Sequence, residues 1–212
     1  SRGLGDVYKR QGLSATINKI TGGSAAATIE ITPEITPDGL TARFAWTPDA
    51  DGGSSVSDKT TAGDGGTYVG SGWDVTVEAT DALHGMEGLT VYAGMSEVDQ
   101  YSASSNISGN RDETVIGFKY AMGGFTIGYQ VTDEETGLTT TTGYENTSYS
   151  VTFNVNDDLS IGYNHVESDQ VTSATHDDAE ATSYQASYTM GGATFAIAEV
   201  DIKNRNYGTA AA

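Results

Sequence analysis

ETVIGFKYAMGGFTIGYQVTDEE at residues 113–135 is followed by NTSYSVTFNVNDDLSIGYNHVESD at 146–169 and ATSYQASYTMGGATFAIAEVDIKN at 181–204. Each is an alternating run, a tight turn and a second alternating run. The turn centres Gly123-Gly124, Asp157-Asp158 and Gly191-Gly192 fall 34 residues apart both times. A fixed period of this size means one supersecondary unit laid down side by side. The turns read as two-residue hairpins, because Gly-Gly and the Asn156-Asp157-Asp158 run can take the positive φ angles such turns demand. In the first copy Ile116, Phe118, Tyr120 and Met122 share one side of a strand, and Val115, Gly117, Lys119 and Ala121 the other. After the turn Phe125, Ile127, Tyr129 and Val131 oppose Thr126, Gly128, Gln130 and Thr132. The next copy sets Tyr149, Val151, Phe153 and Val155 against Ser148, Ser150, Thr152 and Asn154. The alternation is expected to hold its phase from copy to copy, counted from the turn.

Upstream, LSATINKI at 13–20 and AAATIEIT at 25–32 are strand candidates, and PEITPDG at 33–39 is a turn. Leu40, Ala42, Phe44 and Trp46 then alternate with Thr41, Arg43, Ala45 and Thr47, and Trp73, Val75, Val77 and Ala79 with Asp74, Thr76, Glu78 and Thr80. DALHGMEG at 81–88 leads to Leu89, Val91, Ala93 and Met95. With the three repeat hairpins this predicts eleven strands of about 9 to 11 residues. Short turns at 33–39, 81–88 and the three repeat centres alternate with longer acidic loops at 48–72, 99–112, 133–146 and 168–181.

Residues 1–11, SRGLGDVYKRQ, stand apart. Asp6 to Gln11 back-translate to GAT GTG TAT AAG AGA CAG, which resembles a transposon-end sequencing adaptor; an ordinary polar N-terminus is the alternative. The expected division is therefore an adaptor-derived segment at 1–11 and a partial barrel domain at 12–212, cut at both ends. The first eleven residues carry three of the ten basic residues and one of the 29 acids, leaving 7 against 28, a net charge of −21. That balance disfavours nucleic acid and anionic surfaces as partners. Only 18% of residues are charged and 37% are hydrophobic, with 27 Gly and 12 Tyr, so the chain is of the kind that folds. The absence of Cys rules out disulfides and thiolate metal sites.

Strands of this length, with one short rim and one long, fit an all-β fold: a transmembrane antiparallel up-and-down β-barrel, closed because lipid cannot satisfy a free sheet edge. A bacterial single-chain barrel has an even strand count, so eleven points to missing strands. The alternative is a secreted or surface β-sandwich adhesin, whose apolar faces meet in a core. Small residues on the polar faces and Tyr and Phe near strand ends favour lipid over a core.

The segments FKYAMGGFTIGYQV, SYSVTFNVNDDLSIGYNHVESD, SYQASYTMGGATFAIAEV and AAATIEITPEITPDGLTARFAWTPD resemble hairpins of the general porins of alphaproteobacteria, over essentially residues 12–212. The resemblance implies a 16-stranded, homotrimeric outer-membrane barrel, in contact with lipid and lipopolysaccharide, that passes small hydrophilic solutes and cations by diffusion. It also implies one long loop folded into the lumen and a terminal aromatic strand, which this chain lacks.

A Lys or Arg facing lipid near mid-bilayer costs roughly 2 to 4 kcal/mol, so Lys119 and Arg43 must face the lumen. The alternation then sends Glu30, Asp74, Glu78, Gln130, Asn154, Asn164 and Gln185 inward as a pore lining. Glu199 falls on the apolar face with Phe195 and Ile197, which calls for a rim position or a bulge. The 48–72 loop, with Asp49, Asp51, Asp58, Lys59 and Asp64, is the candidate eyelet, against a plain extracellular loop. The four long loops and their flanks hold 17 of the 28 acids, which predicts a cation-attracting vestibule. No cofactor is expected beyond Ca²⁺ held loosely by surface acids; Thr60 stands where a calcium loop beginning at Asp49 wants Glu. His84, His165 and His176 are scattered, and no nucleophile elbow, phosphate loop or zinc pattern is present, so no enzyme is predicted.

Overall fold

The structure is a computed structural model that describes residues 29–34, 36–47, 68–101, 108–172, 177–205 and 207. These residues form one antiparallel sheet in the order β1 to β10, each strand hydrogen-bonded to its neighbours in sequence. The strands are β1 (Ile29–Ile31), β2 (Leu40–Thr47), β3 (Tyr68–Thr80), β4 (Leu89–Tyr101), β5 (Arg111–Met122), β6 (Phe125–Glu135), β7 (Thr141–Asn154), β8 (Leu159–Thr172), β9 (Ala179–Met190) and β10 (Ala193–Lys203). One short helix, α1 (Asp81–His84), links β3 to β4 and ends on Gly85 in the left-handed region, φ 75°. The sheet is open: β1 and β10 are its two edges. Ten of the eleven expected strands are present, the second as Ile29–Ile31; the first, at 13–20, lies outside the described residues, as does the 1–11 segment.

Among the described residues no second sheet packs on either face, and the strands make their principal contacts with their sequence neighbours. The described residues thus form a single layer and not the two layers of a sandwich. The burial is also inverted relative to a water-soluble protein. Ile197 is 73% exposed, Ile116 64% and Phe195 63%, whereas Asp74 is 2% exposed and Ser183 2%. Direct pairing places Phe44, Val75 and Met95 on one face, and Phe118, Tyr129 and Tyr149 with them. The opposite face carries the small and polar set and is the sheltered one.

The repeat hairpins differ in one respect from the sequence expectation. At β5–β6 and β9–β10 the turns are two-residue turns: Met122 pairs with Phe125 and Met190 with Ala193, with Gly123 and Gly191 both at φ 58°. At β7–β8 the last pair is Asn154 with Ser160, so five residues intervene, and no non-glycine residue there has positive φ. The Asn156 carboxamide oxygen builds this turn, accepting from the Asp158 and Leu159 amides at 2.9 and 2.8 Å. The physical reason is phase. In β5 and β9 the apolar face includes the residue just before the turn centre, Met122 and Met190; in β7 it includes Phe153, one step out of that phase. A two-residue turn at Asp157-Asp158 would set Phe153 opposite Gly162, on the wrong face. The odd-numbered connection sets it opposite Ile161 instead.

The strands also run further than expected. Eight of them, β3 to β10, are 11 to 14 residues long. Much of what reads as long acidic loop is strand: the β6–β7 connection shrinks to 136–140 and the β8–β9 connection to 173–178. A ladder bond is satisfied by the neighbouring backbone whatever the side chains are, so strands continue past the apolar belt, where the period-2 signal stops.

The upper limit of that belt gives the strand tilt. On the apolar face it lies between Thr114 and Asp112 on β5, and between Ile197 and Glu199 on β10. Followed by direct pairing, Ala198 leads through Gln185, Gly162, Thr152 and Thr126 to Ala121. Ala121 is eight residues from Glu113, the level of the limit on β5. Eight residues over five pairings is about 26 Å of rise across about 24 Å of sheet, a tilt of roughly 45°. Stopping at β9, where the limit falls at Ala181, gives four residues over four pairings and roughly 35°. Both values lie in the range of strands that cross a membrane in a barrel.

Candidate functional site

All nine residues expected to line a pore share the sheltered polar face. Glu30 pairs with Ala45, which pairs with Asp74; Arg43 pairs with Thr76, and Glu78 with Tyr92. Lys119 pairs with Gly128, which pairs with Ser150 and so with Asn164; Gln130 pairs with Gly117, Gln185 with Gly162, and Asn154 with Ser160. Asp74, Asn164 and Gln185 are buried; Glu30, Glu78, Lys119 and Asn154 are exposed. Glu199 sits on the apolar face, opposite Tyr184 in an unbroken β9–β10 register, so no bulge rescues it. It lies just above the apolar belt. The eyelet candidates Asp49, Asp51, Asp58, Lys59 and Asp64 fall outside the described residues, as does His176.

Three local arrangements tie the polar face together. Arg43 forms an ion pair with Glu30 at 3.0 Å. On β4, Tyr92 lies across Gly117 of β5 and donates its hydroxyl to the Gln130 side-chain oxygen of β6 at 2.9 Å. Glycine is required beneath it: a Cβ at 117 would stand 2.6 Å from the Tyr92 ring and 2.7 Å from the Tyr129 carbonyl oxygen. Nearer the loop end, Arg111 is held between Glu113, at 3.3 Å, and Glu134. The sequence reading missed this cluster. It assigned Glu113 and Glu134 to loops, and the signal that could have found them is their position, an even number of residues from Lys119 and Gln130.

The other strand acids are placed differently from a vestibule lining. Glu97, Asp112 and Glu135 are level with one another on the apolar-side face, as are Asp133, Glu145 and Asp169. They form an acidic band above the apolar belt, and only Glu113 and Glu134 of the expected loop acids turn to the polar face within the strands. In the β8–β9 connection, burial pushes the Asp178 carboxyl up, with Asp169 and Glu167 adding to the shift. Among the described residues no group of acids and histidines is arranged to hold a metal ion. His165 Nδ1 lies 2.9 Å from the Thr182 hydroxyl, and His84 Nδ1 accepts from the Met86 amide at 3.1 Å. Both are occupied locally.

A single-layer sheet with a sheltered polar face, an exposed aromatic face and tilted strands is consistent with a porin-like wall. A family model described as a Gram-negative porin matches residues 3–209. The chain belongs to this family. A porin resides in the outer membrane and is not an enzyme. Among solved structures this porin is similar to the outer-membrane expressed OmpT of Vibrio cholerae, with a TM-score of 0.52 at 13% identity, covering 83% of this chain and 54% of that one. The chain thus spans about half the length of that structure, and at this identity the likeness is one of fold. No curated protein matches by sequence.

Proposed function

We propose that the chain forms part of the wall of a water-filled diffusion channel for ions and small hydrophilic solutes, with a preference for cations. The observation that carries this is the polar face itself. Asp74 Oδ2, Ser96 Oγ, Arg43 Nε and Asn164 Oδ1 are sheltered, lie on that face and find no partner among the described residues. Buried polar atoms need partners, and where no second sheet of described residues covers the face water is the one available. Charge supports the cation preference. The described strands place five acids on this face, Glu30, Asp74, Glu78, Glu113 and Glu134, against the three bases Arg43, Arg111 and Lys119. A confined net negative lining concentrates cations and repels anions, and salt weakens the effect.

The remaining expectations belong to the same reading: sixteen strands in the closed barrel, a homotrimer, lipopolysaccharide against the outer face, and kinship with the general porins of alphaproteobacteria. Reversal potentials across planar bilayers in a salt gradient test the central claim. A potential of the cation-permeable sign is expected, shrinking as ionic strength rises, and an anion-permeable sign would sink it. Migration of the detergent-extracted protein on unheated gels should exceed monomer size if the trimer exists.

A further inference from the structure

We propose that the segment leaving β10 turns inward over the polar face, and that Tyr207 on it narrows the passage, acting with Tyr144 to set which solutes pass. This rests on the channel reading above. β10 ends at Lys203, and the chain reverses at once: Asn204 takes φ 48°, its side chain donates to the Asp178 carbonyl at 3.1 Å, and the Tyr207 amide donates to the Asn204 carbonyl at 2.8 Å. The Tyr207 hydroxyl then lies 2.7 Å from Ser168 Oγ, and its ring centre 5.6 Å from that of Tyr144. Ser168 pairs with Asn146, and Tyr144 with Glu134 and Gln170, all on the polar face. The ring has therefore crossed β9 and sits over β7 and β8. A segment bound for the exterior would not make these contacts.

Two further features agree. Tyr207 itself has φ 51°, a conformation that a bulky residue adopts at a cost of order 1 kcal/mol or more and keeps only where its contacts repay it. The β10 pattern also inverts near its end. Val200 and Ile202 face the polar side, 47% and 55% exposed, while Glu199, Asp201 and Lys203 take the other. With Val166 and Ala181 level with Ile202, the inner wall carries apolar surface here. Val200 and Ile202 stay exposed among the described residues, so this is an open apolar patch on the polar side beside the Tyr207 segment. The Tyr144 hydroxyl accepts from the Gln170 amide at 3.2 Å, and Tyr144 pairs with Glu134 of the Arg111–Glu113–Glu134 cluster. A solute passing the two phenols comes within reach of that cluster's net negative charge.

The test uses the protein in planar bilayers. Tyr207→Ala should raise unit conductance and admit larger neutral solutes in liposome swelling, and Tyr207→Phe should leave both near the parent values. These 212 residues hold no cysteine, so a Tyr207→Cys variant adds the one thiol among them, and the parent is the control for any other. Cationic trimethylammonioethyl methanethiosulfonate, which a cation-preferring passage admits, should reduce its conductance and leave the parent unchanged. A Tyr207→Cys current indifferent to the reagent overturns the proposal even if Tyr207→Ala fails to assemble. A parent protein that forms no channel overturns the underlying reading instead.

Discussion

Gly117 is where three strands are tied on the inner face, because the Tyr92 ring rests on it while its hydroxyl reaches Gln130. Gly117→Ala should destabilise the sheet by about 1 to 3 kcal/mol, since the new methyl must displace both a ring and a backbone carbonyl. The loss is read as a lower temperature for conversion of the folded band on heated gels. Adding Tyr92→Ala should recover only part of it, because the Tyr129 carbonyl remains in the way. Arg111 poses the opposite problem. Arg111→Met leaves Glu113 and Glu134, 7% and 13% exposed at their side chains, facing each other without the cation. The expected cost is about 2 kcal/mol by the same assay, below the 3 to 5 of a fully buried pair because the cluster borders water. The same variant should shift reversal potentials further toward cations. At this scale the sequence was most informative where a charge sat inside an alternating run. Lys119 alone orients β5, and with it every neighbour. Tyr92 on Gly117 was not readable, because nothing in the spacing of two separate strands says that a ring will lie down rather than stand.

β7 shows what an element needs beyond its own pattern. Its alternation is clear, yet its phase relative to β8 is set by whether the connection is odd or even, and the acids at Asp157-Asp158 carry no mark of which. The mark is Asn156, whose side chain caps two amides. Asn156→Ala should cost about 1 to 2 kcal/mol and slow refolding into detergent, with the native register recovered. The face assignment itself is tested by a matched pair. Tyr149→Lys, beside Tyr163 and His165 on the aromatic side, should cost roughly 2 to 4 kcal/mol of stability in lipid. Ser150→Lys, its neighbour in sequence and opposite in face, should be tolerated. At the β8–β9 rim, Asp178 has its carboxyl raised by burial first and then by Asp169 and Glu167. A raised acid contributes stability below its ordinary value and loses it as pH rises through the raised one. Acidification should therefore slow amide exchange at 177–180, after correction for the intrinsic rate, and Asp178→Asn should remove that response.

For the described sheet, ten of the eleven strands, their pairing order and the division into an apolar and a polar face were readable from periodicity, because alternation persists wherever the two faces of a strand differ in surroundings. Strand length was not. Above the apolar belt both faces meet water, the alternation loses its physical cause, and Asp133 to Glu135 look like loop while still holding ladder bonds with Glu145 and Gly143. The strand tilt lies between these cases. It is encoded in where the acids begin on each strand, but it becomes visible only once the register says which residues are level.

Strictly sequential pairing also bears on how such a wall is acquired. Each strand depends on the two beside it in the chain, so the sheet can be extended a hairpin at a time with short loop closures and no long-range partner to await. Excising 34 residues between equivalent points of β6 and β8, from Ile127 to Ile161, would join apolar face to apolar face and leave the remaining neighbours matched. The circumference would lose two strands and nothing else would need redesign. On the channel reading, pore gauge becomes a matter of copy number, which gene duplication and deletion can change in whole steps.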